Sequence, residues 1–367
     1  MRTQTFVLMI ASVAALLLIS IAIQPKKDLI DPWHGASYGQ TAYSARDDAS
    51  HPSDDPDHFE WWYFDAQFEE CSVAVAMHAT NVSNPGSRRP HIEANLFCPN
   101  GTTRIVKEYD PASFSASNET CDVSIAGNRA QGNLSDYHLT VDEGGLGMDL
   151  WFDSTVPSWR PGTGAIRFGD GTDQFSWFVA VPRASVNGTL TINGTRFNVS
   201  GIGYHDHNWG NVPLFTEISE WYWGRVYSGN LTLIYADISL DGKYDQTVVS
   251  PMMVAVGDRI VSDGSGFSLL PSGFIPDSAT GNRRPSRISL VLNESHATGR
   301  IDMDVLNVTD GRDLTEGRSG IERSVIHLLV GHPTYYRFLS YAAGNLVIDG
   351  TKYSIGEDVI SEQIKMR

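Results

Sequence analysis

Two histidines, three tryptophans and four tyrosines fall within residues 201–237, together with Arg225 and Asp237, and glycines punctuate them as they do strands rather than helices. Drawn as a strand, residues 202–209 place His205, His207 and Trp209 on one face, with Ile202, Tyr204, Asp206 and Asn208 on the other. Two imidazoles at that spacing reach one point. They can hold a metal completed by a carboxylate such as Glu220, relay protons near neutral pH, or simply bond to backbone at a crowded strand end.

In residues 231–240, Leu231, Leu233, Tyr235, Asp237 and Ser239 alternate with a second apolar set, so the strand is expected to be covered on both sides. An aspartate there is costly unless paired, and desolvation raises its pKa toward what a general acid needs. The other reading is an ion pair between Asp237 and Arg225 on the neighbouring strand. Trp221, Trp223, Arg225 and Tyr227 share one face of that neighbour. Aromatic walls beside a carboxyl suit an apolar ligand or a developing carbocation, and they equally suit plain core.

Short runs rich in Val, Ile, Thr, Tyr, Phe and Trp, with Gly 34 and Pro 17, describe strands and turns throughout the body. Residues 58–68 alternate so that Glu60, Trp62 and Phe64 share a side, and Asn100-Gly101 and Asn193-Gly194 read as hairpin turns. Residues 175–181, 187–192 and 324–330 also read as strands, and almost nothing after residue 25 reads as a helix. About 315 residues exceed what one core usually serves. An all-β chain is therefore expected, with antiparallel barrels or sandwiches over residues 58–215 and 216–360. Residues 25–57 are polar and aperiodic and read as a disordered tether, in which His51 and His58 are solvated.

The formal charge of −16 and the lack of a basic stripe argue against nucleic acid as a partner, and few lysines beside plentiful acid fit either a salty habitat or ordinary solubility. Residues 1–24 are apolar enough to span a bilayer and read as an uncleaved transmembrane anchor rather than a signal peptide. Lys26 and Lys27 favour a cytoplasmic body. The sequons favour export: Asn81, Asn100, Asn118, Asn133, Asn187, Asn193, Asn198, Asn230, Asn293 and Asn307 are ten of seventeen asparagines, where chance gives roughly a fifth to a sixth. A single-pass protein with a glycosylated extracytoplasmic body is expected. Of Cys71, Cys98 and Cys121, a Cys98–Cys121 bridge or free buried thiols are the alternatives, and no CxxC motif invites zinc.

Residues 60–64 (EWWYF), 203–210 (GYHDHNWG), 221–225 (WYWGR) and 235–237 (YAD) resemble, in order, the signatures of the carotenoid 1,2-hydratase (hydroxyneurosporene synthase) family within the AttH-type lipocalin-like group. The similarity covers about residues 55 to 360, with the specific motifs in its first two thirds. It implies two tandem lipocalin-like domains with an aromatic ligand pocket, and acid-catalysed addition of water to a terminal isoprenoid double bond without a redox cofactor; no other cofactor or metal is expected. Carried over by position, it implies Asp237 as proton donor, Trp209 and Tyr235 as cation stabilisers and His207 as base. Trp62, Tyr204, His205, Trp221, Trp223 and Arg225 are expected around the ligand. The alternative is a non-catalytic lipid carrier on the same scaffold, with the membrane and an apolar small molecule as partners in either case.

Overall fold

Alternating apolar residues fold the chain into two large curled antiparallel sheets. The computed structural model describes residues 26–30, 42–80, 85–316 and 319–366. Thirteen strands form the first sheet and ten the second, and Ile275–Asp277 pairs with Asn282–Arg284 as a separate ribbon. The architecture is all-β and lipocalin-like, as expected.

Each sheet is organised about a seam where an early strand lies beside the last one. Phe59–Phe68 pairs with Thr195–Gly210 in the first sheet, and Ile218–Ser228 pairs with Thr351–Lys365 in the second. From both seams the chain meanders outward through hairpins, including those at Asn100-Gly101 and Asn193-Gly194. Residues 175–181 and 187–192 belong to one long strand, Asp173–Ile192, which accommodates two register shifts against its partner.

Period-two alternation gives each sheet an inner and an outer face. Trp62, Phe64, Leu139 and Phe152 fill the inside of the first curl, and Leu233, Tyr235, Leu290 and Phe338 that of the second. A third core, with Phe59, Trp177, Tyr204, Trp223 and Ile234, lies between the two outer faces. Each large apolar side chain buried there contributes about 1.5–3 kcal/mol. At Gly224 a Cβ would lie 2.4 Å from the Tyr235 hydroxyl, so the missing side chain lets that ring lie across its neighbour.

Three expectations are corrected. Residues 324–330 are not a strand but part of the helix Gly320–Val330, which the spacing of Ile321, Val325 and Leu329 suits and which Gly331, at φ 82°, terminates. The disulfide joins Cys71 to Cys98, and Cys121 is free and buried. The described parts of the supposed tether, within residues 26–30 and 42–57, are tied to the first sheet: Leu29–Ile30 pairs with Arg167 and Phe168, and residues 42–51 pack against it. Ser44 caps a 3-10 turn, Ala45–Asp48, through a capping box, Arg46 pairs with Glu119, and Asp48 is buried. The expected anchor, residues 1–24, lies outside the described residues, and no described helix is long and apolar enough to cross a membrane.

Candidate active site

The outer faces of the two sheets meet over a cleft of about 80 Å³. Register decides what lines it. Asp206 stands opposite Tyr63 and Asn208 opposite Trp61, so these four share the outer face of the first sheet. Trp221 opposite Ile238 and Trp223 opposite Ala236 form the facing wall, while Phe175, Trp177 and Glu362 complete the lining.

Asp206 is the one aspartate in this lining, and it is buried. Its Oδ2 accepts hydrogen bonds from Trp177 Nε1 at 2.9 Å and the Tyr204 hydroxyl at 2.8 Å, and its Oδ1 accepts from Asn208 Nδ2 at 2.8 Å. Those donors favour the carboxylate, yet burial outweighs them and pushes the pKa up to about 7. A carboxyl balanced between its two forms at neutral pH, with tryptophan rings on either side, is a proton donor placed beside surface that can shelter a cation.

Beneath it an ionic network ties the sheets together. Arg225 grips Asp65 through two bonds of 2.5 Å, and Arg337 bonds to Glu362 and, at 2.8 Å, to the Tyr63 hydroxyl, which itself donates to Asp65 at 3.0 Å. All four charged groups are largely buried, and burial raises the Glu362 pKa against the opposing pull of Arg337. The partner expected for Arg225 was Asp237; the structure gives it Asp65, from the other sheet.

His205 and His207 face the inside of the first curl, away from the cleft. His205 meets the Tyr63 carbonyl at Nδ1 (2.9 Å) and Asp48 at Nε2 (3.0 Å), while His207 meets the Asp47 carbonyl (3.2 Å) and Glu60 (3.0 Å). The two rings stack on Phe64 and Trp62 with centroids 3.8 and 4.5 Å away. They latch residues 42–51 onto the sheet, and His51, expected in solvent, stacks on Trp209 at 3.9 Å. The His207 bond, with the His51 backbone and ring, holds the Glu60 pKa down at about 2 against burial.

The expected catalytic quartet is therefore not brought together. His207 and Trp209 lie inside the first curl with Trp62, whereas Tyr235 and Asp237 lie on the inner face of the second sheet, across the backbone from Ala236 and Ile238. Burial pushes the Asp237 pKa up to about 6, opposed by a 2.9 Å bond from the Ser250 hydroxyl. Of the expected ligand contacts, Trp221 and Trp223 line the cleft, Tyr204 and Arg225 support its lining, and Trp62 and His205 do not reach it. Asp206 and Glu362 were missed. Alternation had put Asp206 opposite the histidines, but nothing in the sequence said which side would face the second sheet.

Three groups among the described residues have metal-ligand composition: Asp48, Cys121 and His205; His51, Glu60 and His207; and Asp313, His327 and His332. In the first two, His205 and His207 have both ring nitrogens within hydrogen-bond distance of backbone or carboxylate oxygens, whereas His51 Nδ1 in the second has no hydrogen-bond partner among the described residues. In the third, Arg323 already neutralises Asp313 at 2.7 Å. Glu220, expected as a completing ligand, bonds instead to Gln363 in the second sheet at 2.7 Å.

A family model described as AttH-like matches residues 103–308, a span that includes Asp206, Trp221 and Trp223 of the cleft but not Trp61, Tyr63 or Glu362. Hydroxyneurosporene dehydrogenase of Chlorobaculum tepidum is 29% identical over 233 residues, which are 53% of this chain and 60% of that protein. A quinolone epoxide rearrangement protein of Emericella nidulans is 33% identical over 115 residues, 30% of each chain. The matched stretches thus span less than two thirds of either relative. Among solved structures, kievitone hydratase of Nectria haematococca superposes with a TM-score of 0.61 at 17% identity, over 93% of this chain and 98% of that one. That likeness establishes the shared fold.

Proposed function

We propose that this chain, which belongs to the AttH-like family, is a hydratase-like enzyme that protonates a double bond of an isoprenoid or other apolar lipid in the inter-sheet cleft and adds water to the cation. What supports this above all is Asp206, a buried carboxyl with its pKa near 7 among tryptophan rings. The Asp206 O–H bond breaks as the alkene π pair forms a C–H bond, leaving a tertiary cation between Trp221, Trp223 and Trp177. Water then forms the C–O bond and returns a proton to the Asp206 carboxylate, so acid and charge are both restored. A cleft of about 80 Å³ suits the reacting end of a chain.

The names of the similar proteins are compatible with this reading, although one of them names a dehydrogenase. One is a hydratase by name, one is named for a hydroxylated carotenoid, and the epoxide rearrangement named for the third is a reaction that the same kind of proton donor promotes. The proposal includes a membrane anchor in residues 1–24 and an extracytoplasmic body, which would hold the cleft near the lipid surface from which such substrates come.

The test is turnover of a panel of polyprenyl substrates by the full chain in ¹⁸O-labelled water, read by mass spectrometry as a labelled tertiary alcohol. Asp206→Asn should abolish the product and Asp237→Asn should leave it within a few-fold. The opposite pattern would move the acid to the inner face of the second sheet, as the family resemblance implied.

One feature favours a second reading, a carrier without catalysis. A hollow of about 720 Å³ opens at the end of the first curl, lined by Phe68, Leu190, Ile192, Phe197 and Val199 beside the disulfide. Lipid copurifying with the chain and retained by Asp206→Asn, without turnover, would support it.

A further inference from the structure

Ten sequons were singled out above, and the proposed chemistry uses none of them. Nine lie among the described residues, and all nine asparagines are exposed: Asn100, Asn118, Asn133, Asn187, Asn193, Asn198, Asn230, Asn293 and Asn307. The described asparagines outside sequons behave differently. Asn95, Asn128 and Asn208 are buried, Asn211 and Asn282 are half-buried, and only Asn345 is exposed. Turn chemistry accounts for some exposure, as at Asn193-Gly194, but not for Asn187 and Asn307, which sit inside long strands and point outward. None of the nine lines the cleft between the sheets.

Thr232 supplies an independent observation. It is the hydroxyl residue of the Asn230 sequon, it is wholly buried in the strand Leu231–Leu240, and its hydroxyl has no hydrogen-bond partner among the described residues. A buried hydroxyl without a partner is a loss to the folded state, and valine, of nearly the same shape, would avoid it. Packing therefore gives no reason for threonine at this position. The sequon does, because an oligosaccharyltransferase recognises the asparagine together with that hydroxyl.

We propose that the exposed sequon asparagines carry N-linked glycans, and that Asn230 receives its glycan before Thr232 is buried. The donor class is an oligosaccharide joined to a lipid phosphate. The side-chain Nδ2 attacks the anomeric carbon, the N–C bond forms as the C–O(phosphate) bond breaks, one amide proton leaves, and the lipid phosphate departs with the electron pair. The inference stands apart from the catalytic proposal, since a glycan coat that spares the cleft fits an enzyme or a carrier alike. Glycans on Asn100 and Asn198 would flank the hollow at the end of the first curl, whose lining includes both residues.

The experiment is glycopeptide mapping of the full chain purified from its native host, with intact mass as a second readout. The expected result is sugar mass on the exposed sequons, Asn230 included. Thr232→Val should remove the Asn230 glycan alone while leaving the urea midpoint equal or higher. A native chain whose intact mass equals that of the bare polypeptide and whose nine sites are all unmodified overturns the proposal. Asn230 bare in a chain glycosylated elsewhere overturns the role given to Thr232.

Discussion

Asp206→Asn separates an acid held neutral by its surroundings from an ordinary structural aspartate. The folded chain raises this carboxyl from 3.8 to about 7, so between those pH values the native state binds more protons than the unfolded state and stability falls as pH rises. At about 1.4 kcal/mol per pH unit, the wild type should lose roughly 4 kcal/mol from this group between pH 4 and 7 and nothing further above that. Full burial leaves little solvent screening to reduce the figure. Asparagine fits the same space. Its oxygen can accept from Trp177 and Tyr204, and its amide can donate to Asn208 once that side chain turns over; any residual mismatch, about 1–3 kcal/mol, is independent of pH. Urea unfolding of both proteins at pH 5 and pH 8 reads the difference directly. Relative to the wild type, the variant should gain roughly 3 kcal/mol on going from the lower pH to the higher. Parallel pH profiles would show that Asp206 titrates as an ordinary carboxylate and would remove the basis for its role as proton donor.

Other outcomes follow from the same geometry. His207→Gln should cost about 3–5 kcal/mol by leaving Glu60 buried beside a neutral partner, and limited proteolysis should then cut within residues 42–51. Because Glu60 is held at about 2 rather than 4.5, it contributes about 3 kcal/mol above pH 4.5 that is lost as pH falls toward 2, visible as acid unfolding that His207→Gln shifts to higher pH. Arg225→Met strands Asp65 between the sheets and should lower the urea midpoint by a similar 3–5 kcal/mol, whereas Arg225→Met with Asp65→Leu should recover much of it. Replacing Cys71 and Cys98 with serine releases a link across a sequence separation of 27 and should cost about 3–4 kcal/mol in chemical denaturation.

Alternation made much of this molecule legible. It put Glu60 and Trp62 on one side of their strand and Trp221, Trp223, Arg225 and Tyr227 together on theirs, because side-chain direction within a strand is set locally. It also showed that residues 202–209 and 231–240 have two distinct faces. What it could not show was which face meets the other sheet. Asp206 and Asp237 both sit on covered strands with raised pKa values, and only the stacking of the two curls puts the first in the cleft and the second behind it. Residues 42–57 look like a tether because their apolar content is low. Their order comes from charges matched far along the chain: Asp48 to His205 and Arg46 to Glu119. The helix Gly320–Val330 was missed for a simpler reason, since a short apolar run fits either period.

The seams of the two sheets bear on how this chain is made. The strand that pairs with Ile218–Ser228 is Thr351–Lys365, made long after it, and it brings Glu362 with it. Without it the second sheet has an open edge at its centre rather than at its margin, Arg337 has no Glu362, and the cleft lacks that acid. Contacts this distant in sequence make for slow, late folding and long exposure to chaperones and proteases. A chain without the strand Thr351–Lys365 would therefore lose the middle of the second sheet, not its margin, and with it Glu362 of the cleft.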